Sequence, residues 1–139
     1  MHADQAGHEA VDHTADLAVR AWAPDLAGLI EQAARGMLGL MVASPPPAEG
    51  RVEIVGEGAD AEDLLVDCLR EILALWTVEA RLPVSVEVRE ISDRRATCSV
   101  GVAEAGAATG AQEIKAVTYH DLEVRQTAWG LEVTVVFDV

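Results

Sequence analysis

The chain has 139 residues, and 24 acidic against 10 basic side chains give it a formal net charge of −14. The length suits one domain rather than two, and a hydrophobic content of 50% argues against wholesale disorder. A surface this negative repels phosphate groups, so the composition argues against direct nucleic-acid binding and against docking to anionic lipid, and it favours a basic protein partner or a metal cation.

The start of the chain and its two cysteines favour a reduced, cytoplasmic location. Residues 1–11 are polar and contain no apolar run, so we expect a flexible, irregular N-terminus and no signal peptide. No stretch approaches the roughly 20 apolar residues that a membrane helix needs. Cys68 and Cys98 both fall at core-facing positions, which is typical of small buried thiols.

The first elements in chain order are a strand and an amphipathic helix. Apolar residues alternate over Leu17–Ala23, which predicts a strand. Asp25 then provides a carboxylate that can cap the free amides of a helix whose apolar stripe runs to Met41. Within this helix Gly36 and Gly39 either weaken it or allow close packing. The proline run at residues 45–47 ends it.

A short strand and a second helix follow. The strand is predicted at residues 52–55, and Asp60 is the candidate cap of a helix that continues to about Glu79. This helix also carries one apolar stripe, which needs a flat surface to cover. Its charged positions, which we expect to face water, are Asp63, Asp67, Arg70 and Glu71.

The second half of the chain is predicted to form four strands. Alternation at residues 84–88 and 96–102 predicts a hairpin that turns at residues 92–94, and a small-residue loop follows at residues 105–110. The last two strands are predicted at residues 114–124 and 131–139, joined near Trp129 and Gly130. The order β-α-β-α-β-β-β-β predicts a single α+β domain over residues 12–139, with two amphipathic helices packed on mainly antiparallel sheet.

The segment at residues 12–16 concentrates charged groups just before the first strand. It places Asp12, His13 and Asp16 within five residues. One interpretation is structural, a capped turn that leads into the strand. The other is half of a cation site centred on Asp16, because hard cations prefer carboxylate oxygens.

A second concentration of oxygen atoms lies at the end of the chain. The apolar side of the last strand runs through Val133, Val135 and Phe137, so Asp138 faces the opposite way, next to the terminal carboxylate of Val139. Chain ends are often frayed and solvated. Here the strand-like pattern continues to the last position, which predicts that the end is tied down and that its carboxylates repel each other unless a cation joins them.

A third group of polar residues lies on the strand predicted at residues 114–124. If that strand is regular, Lys115 and Tyr119 project from one face, and Thr118 and His120 from the other. A lysine and a tyrosine at this spacing are more often plain surface residues of an edge strand than site residues, and His120 is explained either as a hydrogen-bonding residue or as a ligand. No set of nucleophile, base and orienting residue is visible, so the residues by themselves indicate an acidic domain with an oxygen-rich cation site.

Four segments of the chain, taken together, match the motifs of one protein family. They are DHTAD at residues 12–16, LLVDCLREILAL at residues 64–75, EIKAVTYHDLEV at residues 113–124 and VVFDV at residues 135–139. In this order and at this spacing they resemble the archease family, and the resemblance covers nearly the whole chain. Two positions depart from the family pattern. The loop at residues 103–112 lacks an Arg-His pair that many members carry, which puts a partner contact in doubt, and Cys68 stands where tryptophan is common.

The resemblance implies a non-enzymatic accessory protein. Such proteins activate an RtcB-type, GTP-dependent RNA ligase in tRNA splicing and RNA repair by promoting its guanylylation and its multiple turnover. The resemblance also implies a divalent cation bound by Asp16, Asp138 and the terminal carboxylate of Val139. His13, Lys115 and His120 match motif positions near that end of the fold, as partner contacts or supports of the metal ligands.

Two other functions fit the same residues. One is a chaperone or modulator of another RNA-processing enzyme, such as a tRNA methyltransferase. The other is a metal-dependent phosphohydrolase, although the chain offers no convincing general base and no ligands for a second metal. The oxygen ligands suit calcium, magnesium or manganese alike, and the sequence leaves the oligomeric state open.

Overall fold

The computed structural model describes residues 5–12, 16–104 and 113–139. In these ranges it forms two helices and eight short to medium strands, which confirms the α+β class. The elements in chain order are β1 (Gly7–Asp12), β2 (Leu17–Ala23), α1 (Leu26–Met41), β3 (Gly50–Glu57), α2 (Ala61–Thr77), β4 (Arg81–Ile91), β5 (Arg95–Glu104), β6 (Ala116–Val117), β7 (Arg125–Gln126) and β8 (Leu131–Asp138).

The strands form two antiparallel sheets that share the two helices. The larger sheet has the order β1-β2-β8-β6, and β7 also pairs with β8; the smaller sheet has the order β3-β5-β4. Helix α1 packs on β2, β1 and β8 of the larger sheet and on β4 of the smaller one. Helix α2 contacts β3, β4 and β5 of the smaller sheet and β6 of the larger one. The apolar stripes of both helices therefore bury strands of both sheets in one core.

Both helices begin at the aspartates that the sequence indicates. The Gly28 backbone N–H donates to Asp25 Oδ1 at 2.8 Å, and the Asp63 backbone N–H donates to Asp60 Oδ1 at 2.8 Å. These bonds satisfy amides that would otherwise lack a partner in the first turn. Helix α2 ends at Thr77, slightly before the predicted end. Neither helix has the length and unbroken apolar surface of a membrane span in the ranges described.

The core is aliphatic, as the low aromatic content requires. Phe137 is its largest fully buried side chain, and it is followed by leucine, isoleucine and methionine side chains of both helices. Helix α1 approaches β2 closely at Gly36, where a Cβ would overlap Val19 Cγ1. Glycine is required at this helix–sheet contact because a side chain would push the two elements apart. Cys68 and Cys98 are both buried free thiols, as predicted.

The expectation of an irregular N-terminus at residues 1–11 was wrong from Gly7 onwards. Gly7–Asp12 pairs with β2 along its full length, from Gly7 opposite Trp22 to Asp12 opposite Leu17. The strand carries glycine, histidine and glutamate, so it has little of the apolar alternation that identifies a strand. The backbone ladder to β2, which a local pattern does not reveal, holds it in place.

The prediction of one long strand at residues 114–124 was also wrong. Only Ala116 and Val117 join the ladder to β8, and a turn follows in which the Leu122 N–H donates to the Tyr119 carbonyl at 3.0 Å. Asp121 has a φ of 50°, which a strand does not allow. The chain then returns to the sheet as the two-residue β7. The strand predicted at residues 52–55 extends over Gly50–Glu57, and the loop predicted at residues 105–110 lies outside the described residues.

Side chains of α2 bind the backbone on both sides of this turn. Arg70 donates to the Val117 carbonyl at 3.3 Å, and the Val124 N–H donates to Glu62 Oε2 at 2.8 Å. Thr118 still bonds to β8, because its backbone N–H donates to the Val136 carbonyl at 3.1 Å. Helix α2 therefore contacts the chain before the turn and after it.

Candidate functional site

Strand β2 begins and strand β8 ends at the same end of the larger sheet. Strands β2 and β8 are antiparallel neighbours, and the ladder between them runs from Ala23–Leu131 to Leu17–Phe137. One further step in the same register would set Asp16 opposite Asp138, but Asp16 lies just before β2 and outside the ladder. The ladder therefore directs the two aspartates towards the same end of the larger sheet.

The end of the chain is tied down on both sides, as the sequence pattern predicts. Asp138 pairs with Ala116 of β6, and its carbonyl accepts the Lys115 N–H at 2.8 Å. Phe137 is fully buried, whereas Asp138 is exposed on the opposite side of the strand and Val139 is partly buried. The Asp138 side chain therefore faces solvent from a fixed backbone position.

Three other residues were predicted to lie near this site, and the structure describes two of them. Lys115 falls one step beyond the Ala116–Asp138 pair, opposite Val139, and its side chain is exposed. The exposed His120 lies in the turn, where its Nε2 is 3.2 Å from Asp121 Oδ2. His13 lies outside the described residues.

A contact between α2 and the turn was not anticipated from the sequence. The Tyr119 hydroxyl donates to Asp63 Oδ1 at 2.9 Å, and the Arg70 guanidinium carbon lies 5.1 Å from the centre of the Tyr119 ring. Burial and the Asp63 carboxylate raise the pKa of Tyr119 above its ordinary value. The turn that follows β6 is therefore fixed by a hydrogen bond and a cation–π contact.

The charged positions of α2 were expected to face water, and Arg70 and Glu71 are exposed, whereas Asp63 and Asp67 are partly buried. Three of the four also bind neighbouring segments. Asp63 and Arg70 hold the Tyr119 turn, and Asp67 Oδ2 accepts the Glu57 N–H of β3 at 2.7 Å. Their spacing along one helical face was the only available signal, and it does not distinguish solvent from a neighbouring loop.

The donor set at this end of the sheet suits a hard cation. Two aspartate carboxylates and a chain terminus offer only oxygen atoms, which calcium, magnesium and manganese prefer. Calcium takes six to eight such ligands, so these groups form part of a coordination sphere and not a closed cage. In the part of the chain that the structure describes, no group of three or more His, Cys, Asp or Glu side chains is arranged to hold a metal ion.

Comparison with known proteins gives one consistent result. Residues 8–139 match the family model described as "Archease protein family (MTH1598/TM1083)". The chain is 31% identical to "Protein archease" of Methanosarcina mazei over 139 residues, which covers 95% of each chain. It is 33% identical to "Protein archease" of Methanopyrus kandleri over 124 residues, covering 85% of this chain and 89% of that one.

Two solved structures share the fold. The solution structure of protein 1598 from Methanobacterium thermoautotrophicum superposes with a TM-score of 0.72 at 30% identity, covering 96% of this chain and 99% of that one. The crystal structure of a Thermotoga maritima protein described as "an archease, possible chaperone" has a TM-score of 0.67 at 23% identity. It covers 94% of this chain and 96% of the other. The resemblance in fold therefore extends over the whole domain.

Proposed function

This chain belongs to the archease family, and we propose that it is a metal-binding accessory protein that activates an RtcB-type, GTP-dependent RNA ligase. In this role it promotes guanylylation of the ligase and its repeated turnover, and it catalyses no reaction itself. The observation that carries the proposal is the antiparallel pairing of β2 and β8, because Asp16 immediately precedes β2 and Asp138 ends β8 at the same end of the sheet.

The proposed ligands are the carboxylates of Asp16 and Asp138 and the terminal carboxylate of Val139. The bound cation would neutralise their repulsion and provide a centre of positive charge on an otherwise acidic surface. Asp138 is suited to this role because its backbone is paired with β6 and its side chain is exposed. Since three groups leave a calcium ion short of ligands, water or the ligase completes the coordination.

The charge of the chain supports a basic protein partner. A net charge of −14 attracts a positively charged surface over distances of about a Debye length and speeds the encounter. We expect the ligase to present such a surface around its nucleotide site, and we expect the complex to form more slowly as salt is added.

Two aspartate variants test the proposal against a matched control. Asp16→Asn and Asp138→Asn each remove one negative charge, and so does Asp93→Asn in the exposed turn between β4 and β5. Calcium, magnesium and manganese binding is measured by titration calorimetry, and ligase guanylylation is measured with and without each protein. We expect the first two variants to lose ion binding and to stimulate the ligase at least tenfold less, and the control to match the wild type.

Two results would contradict the proposal. Full stimulation by both site variants would remove the metal from the mechanism, and no stimulation by the wild type would remove the ligase as the partner. Steady hydrolysis of phosphoesters by the protein alone, with manganese or magnesium, would show that it acts as an enzyme.

A further inference from the structure

Cys68 and Cys98 form a buried pair between helix α2 and strand β5. They are the two cysteines of the chain, both are free thiols, and each is 0% exposed. The proposed function uses neither of them. Because thiols are readily oxidised and can join to each other, two of them buried in one place are a candidate site of oxidative modification.

The backbone brings the two cysteines to the same part of the core. A Cβ on Gly56 of β3 would overlap Cys68 Sγ and lie 3.1 Å from Cys68 Cα, so helix α2 rests directly on the strand at this glycine. Cys98 pairs with Ile54, two positions from Gly56, and its side chain lies on the same face of the smaller sheet. Diagonal neighbours on one face are about 7–8 Å apart, within reach of each other's side chains. The missing side chain at Gly56 therefore leaves the space in which the two sulfurs meet.

The two thiols are hydrogen-bonded to each other, with Cys68 as the donor. This hydrogen bond, together with burial, raises the pKa of Cys68. The same bond lowers the pKa of Cys98, although burial opposes the change. The pair therefore loses its first proton from Cys98. Because the thiolate is the form that attacks an oxidant, Cys98 is the nucleophile and Cys68 is the second thiol, already in contact with it.

We propose that Cys68 and Cys98 are a site of oxidative modification, at which hydrogen peroxide converts the thiol pair to an internal disulfide within the folded domain. The Cys98 thiolate attacks one peroxide oxygen and the O–O bond breaks. This step leaves a sulfenic acid on Cys98 and a hydroxide, which takes up the proton that Cys98 lost. The Cys68 sulfur then attacks the Cys98 sulfur, and the sulfenic oxygen leaves as water with the proton of Cys68. The two sulfurs lose two electrons in total, and one peroxide becomes two waters.

Burial determines both the speed and the product of this reaction. Neither sulfur is exposed, so peroxide reaches the pair through local openings of the core, and oxidation is slower than that of a free thiol. Peroxide is little larger than water and needs a smaller opening than a bulky thiol reagent does. Because Cys68 already contacts Cys98, the disulfide forms before a second peroxide can produce a sulfinic acid.

The disulfide ties helix α2 to strand β5 and closes the chain between them into a loop that contains β4. Such a link restricts the unfolded chain, so the oxidised protein should be more stable, with a urea midpoint higher by about 1–2 M. The same helix binds the Tyr119 hydroxyl through Asp63 and the Val117 carbonyl through Arg70. Oxidation therefore fixes the element that supports the turn after β6.

The test counts free thiols after exposure of the native protein to hydrogen peroxide. Catalase stops the reaction, the protein is unfolded in urea with iodoacetamide, and the intact mass gives the number of alkylated cysteines. The untreated chain should carry two labels, and the oxidised chain none, as a monomer whose two labels return after reduction with dithiothreitol. Urea unfolding of the oxidised and the reduced protein then measures the expected rise in the midpoint. N-acetylcysteine in a parallel tube shows that the peroxide is active.

Single variants separate the pair from its members. Cys68→Ala removes the hydrogen bond that favours the Cys98 thiolate, so its remaining label should persist about tenfold longer than the labels of the wild type. Cys98→Ala should also keep its label, because burial raises the pKa of the thiol that remains. Neither variant should gain stability on treatment with peroxide.

Several results would overturn the proposal, and those on the wild type need no variant. They are two labels retained after peroxide treatment, disulfide-linked dimers in place of the monomer, and a urea midpoint that falls on oxidation. Equally fast loss of the label in Cys68→Ala would also overturn it, because the second thiol would then have no part in the reaction. None of these results depends on ion binding or on the ligase assay.

Discussion

Two glycines in helix α1 should respond in opposite directions to the same substitution. Gly36 faces β2, and a Cβ there would overlap Val19 Cγ1 and lie 3.3 Å from both its Cβ and its Cγ2. Gly39 lies three residues later on the exposed side, and a Cβ there would have no neighbour within 4 Å. The two positions therefore share one helix but differ in whether a methyl group has room.

The expected magnitudes follow from this difference. Alanine in place of an exposed helical glycine stabilises the fold by about 0.5–1 kcal/mol, so Gly39→Ala should gain that amount. Gly36→Ala gains the same helix propensity but overpacks a contact with a buried, β-branched valine that has few other rotamers, at a cost of about 1–3 kcal/mol. The net expectation is a loss of up to about 2.5 kcal/mol.

Urea unfolding followed by circular dichroism measures both variants against the wild type. The midpoint should rise for Gly39→Ala and fall for Gly36→Ala without a change in slope, since a common slope shows that both states stay equally compact. If Gly36→Ala were as stabilising as Gly39→Ala, α1 would not pack on β2 as closely as described, and the argument for a required glycine would fail.

Three further predictions concern single contacts. Folding raises the pKa of Tyr119 and so favours its neutral form, and the free energy of unfolding should therefore fall as the pH rises above about 10. Asp63→Asn should lower the titration midpoint of Tyr119, followed by absorbance at 295 nm, towards pH 10. Glu31→Ala should cost about 1–2 kcal/mol in urea unfolding, because it removes the carboxylate that accepts a β4 backbone N–H at 2.8 Å. Cys68 and Cys98 are fully buried, and their mutual hydrogen bond, together with burial, raises the pKa of Cys68. A thiol reagent at pH 8 should therefore label the protein no faster than it unfolds.

A specific result would contradict each of these three predictions. Tyr119 is the only tyrosine, so a midpoint at 10 in the wild type would contradict the described contact directly. An unchanged stability of Glu31→Ala would show that water replaces the carboxylate without cost. Rapid labelling of the native protein would show that the thiols are accessible.

The parts of the fold that the sequence predicts are those decided by local chemistry. Asp25 and Asp60 cap the helices because a side-chain oxygen within three residues satisfies the first amides, and no distant group is needed. The alternation over Leu17–Ala23 identifies β2 because Val19, Ala21 and Ala23 are buried while Arg20 and Trp22 between them are only partly buried.

The wrong predictions share a physical cause, which is a partner distant in sequence. Gly7–Asp12 is a strand because β2 offers it a complete ladder, although its own residues barely indicate one. The chain leaves the ladder to β8 after Thr118, and at Val124 a carboxylate of α2, Glu62, and not a neighbouring strand accepts the backbone N–H. Such competition between a ladder and a side chain is settled by tertiary packing and not by intrinsic propensity.

The position of the proposed metal ligands is set by the core rather than by the ligands themselves. Side chains alternate along β8, so burial of Phe137 forces Asp138 to the other face. A slip of one residue against β2 would turn Phe137 to solvent and bring Asp138 towards the helices, which costs several kcal/mol in lost burial and in desolvated charge. Two carboxylates placed opposite each other repel, so the aspartates themselves do not stabilise this arrangement. The apolar face of β8 therefore fixes the side of the sheet on which Asp138 lies. If Asp138 is a metal ligand as proposed, a substitution that loosens the packing around Phe137 should weaken ion binding even though it touches no proposed ligand.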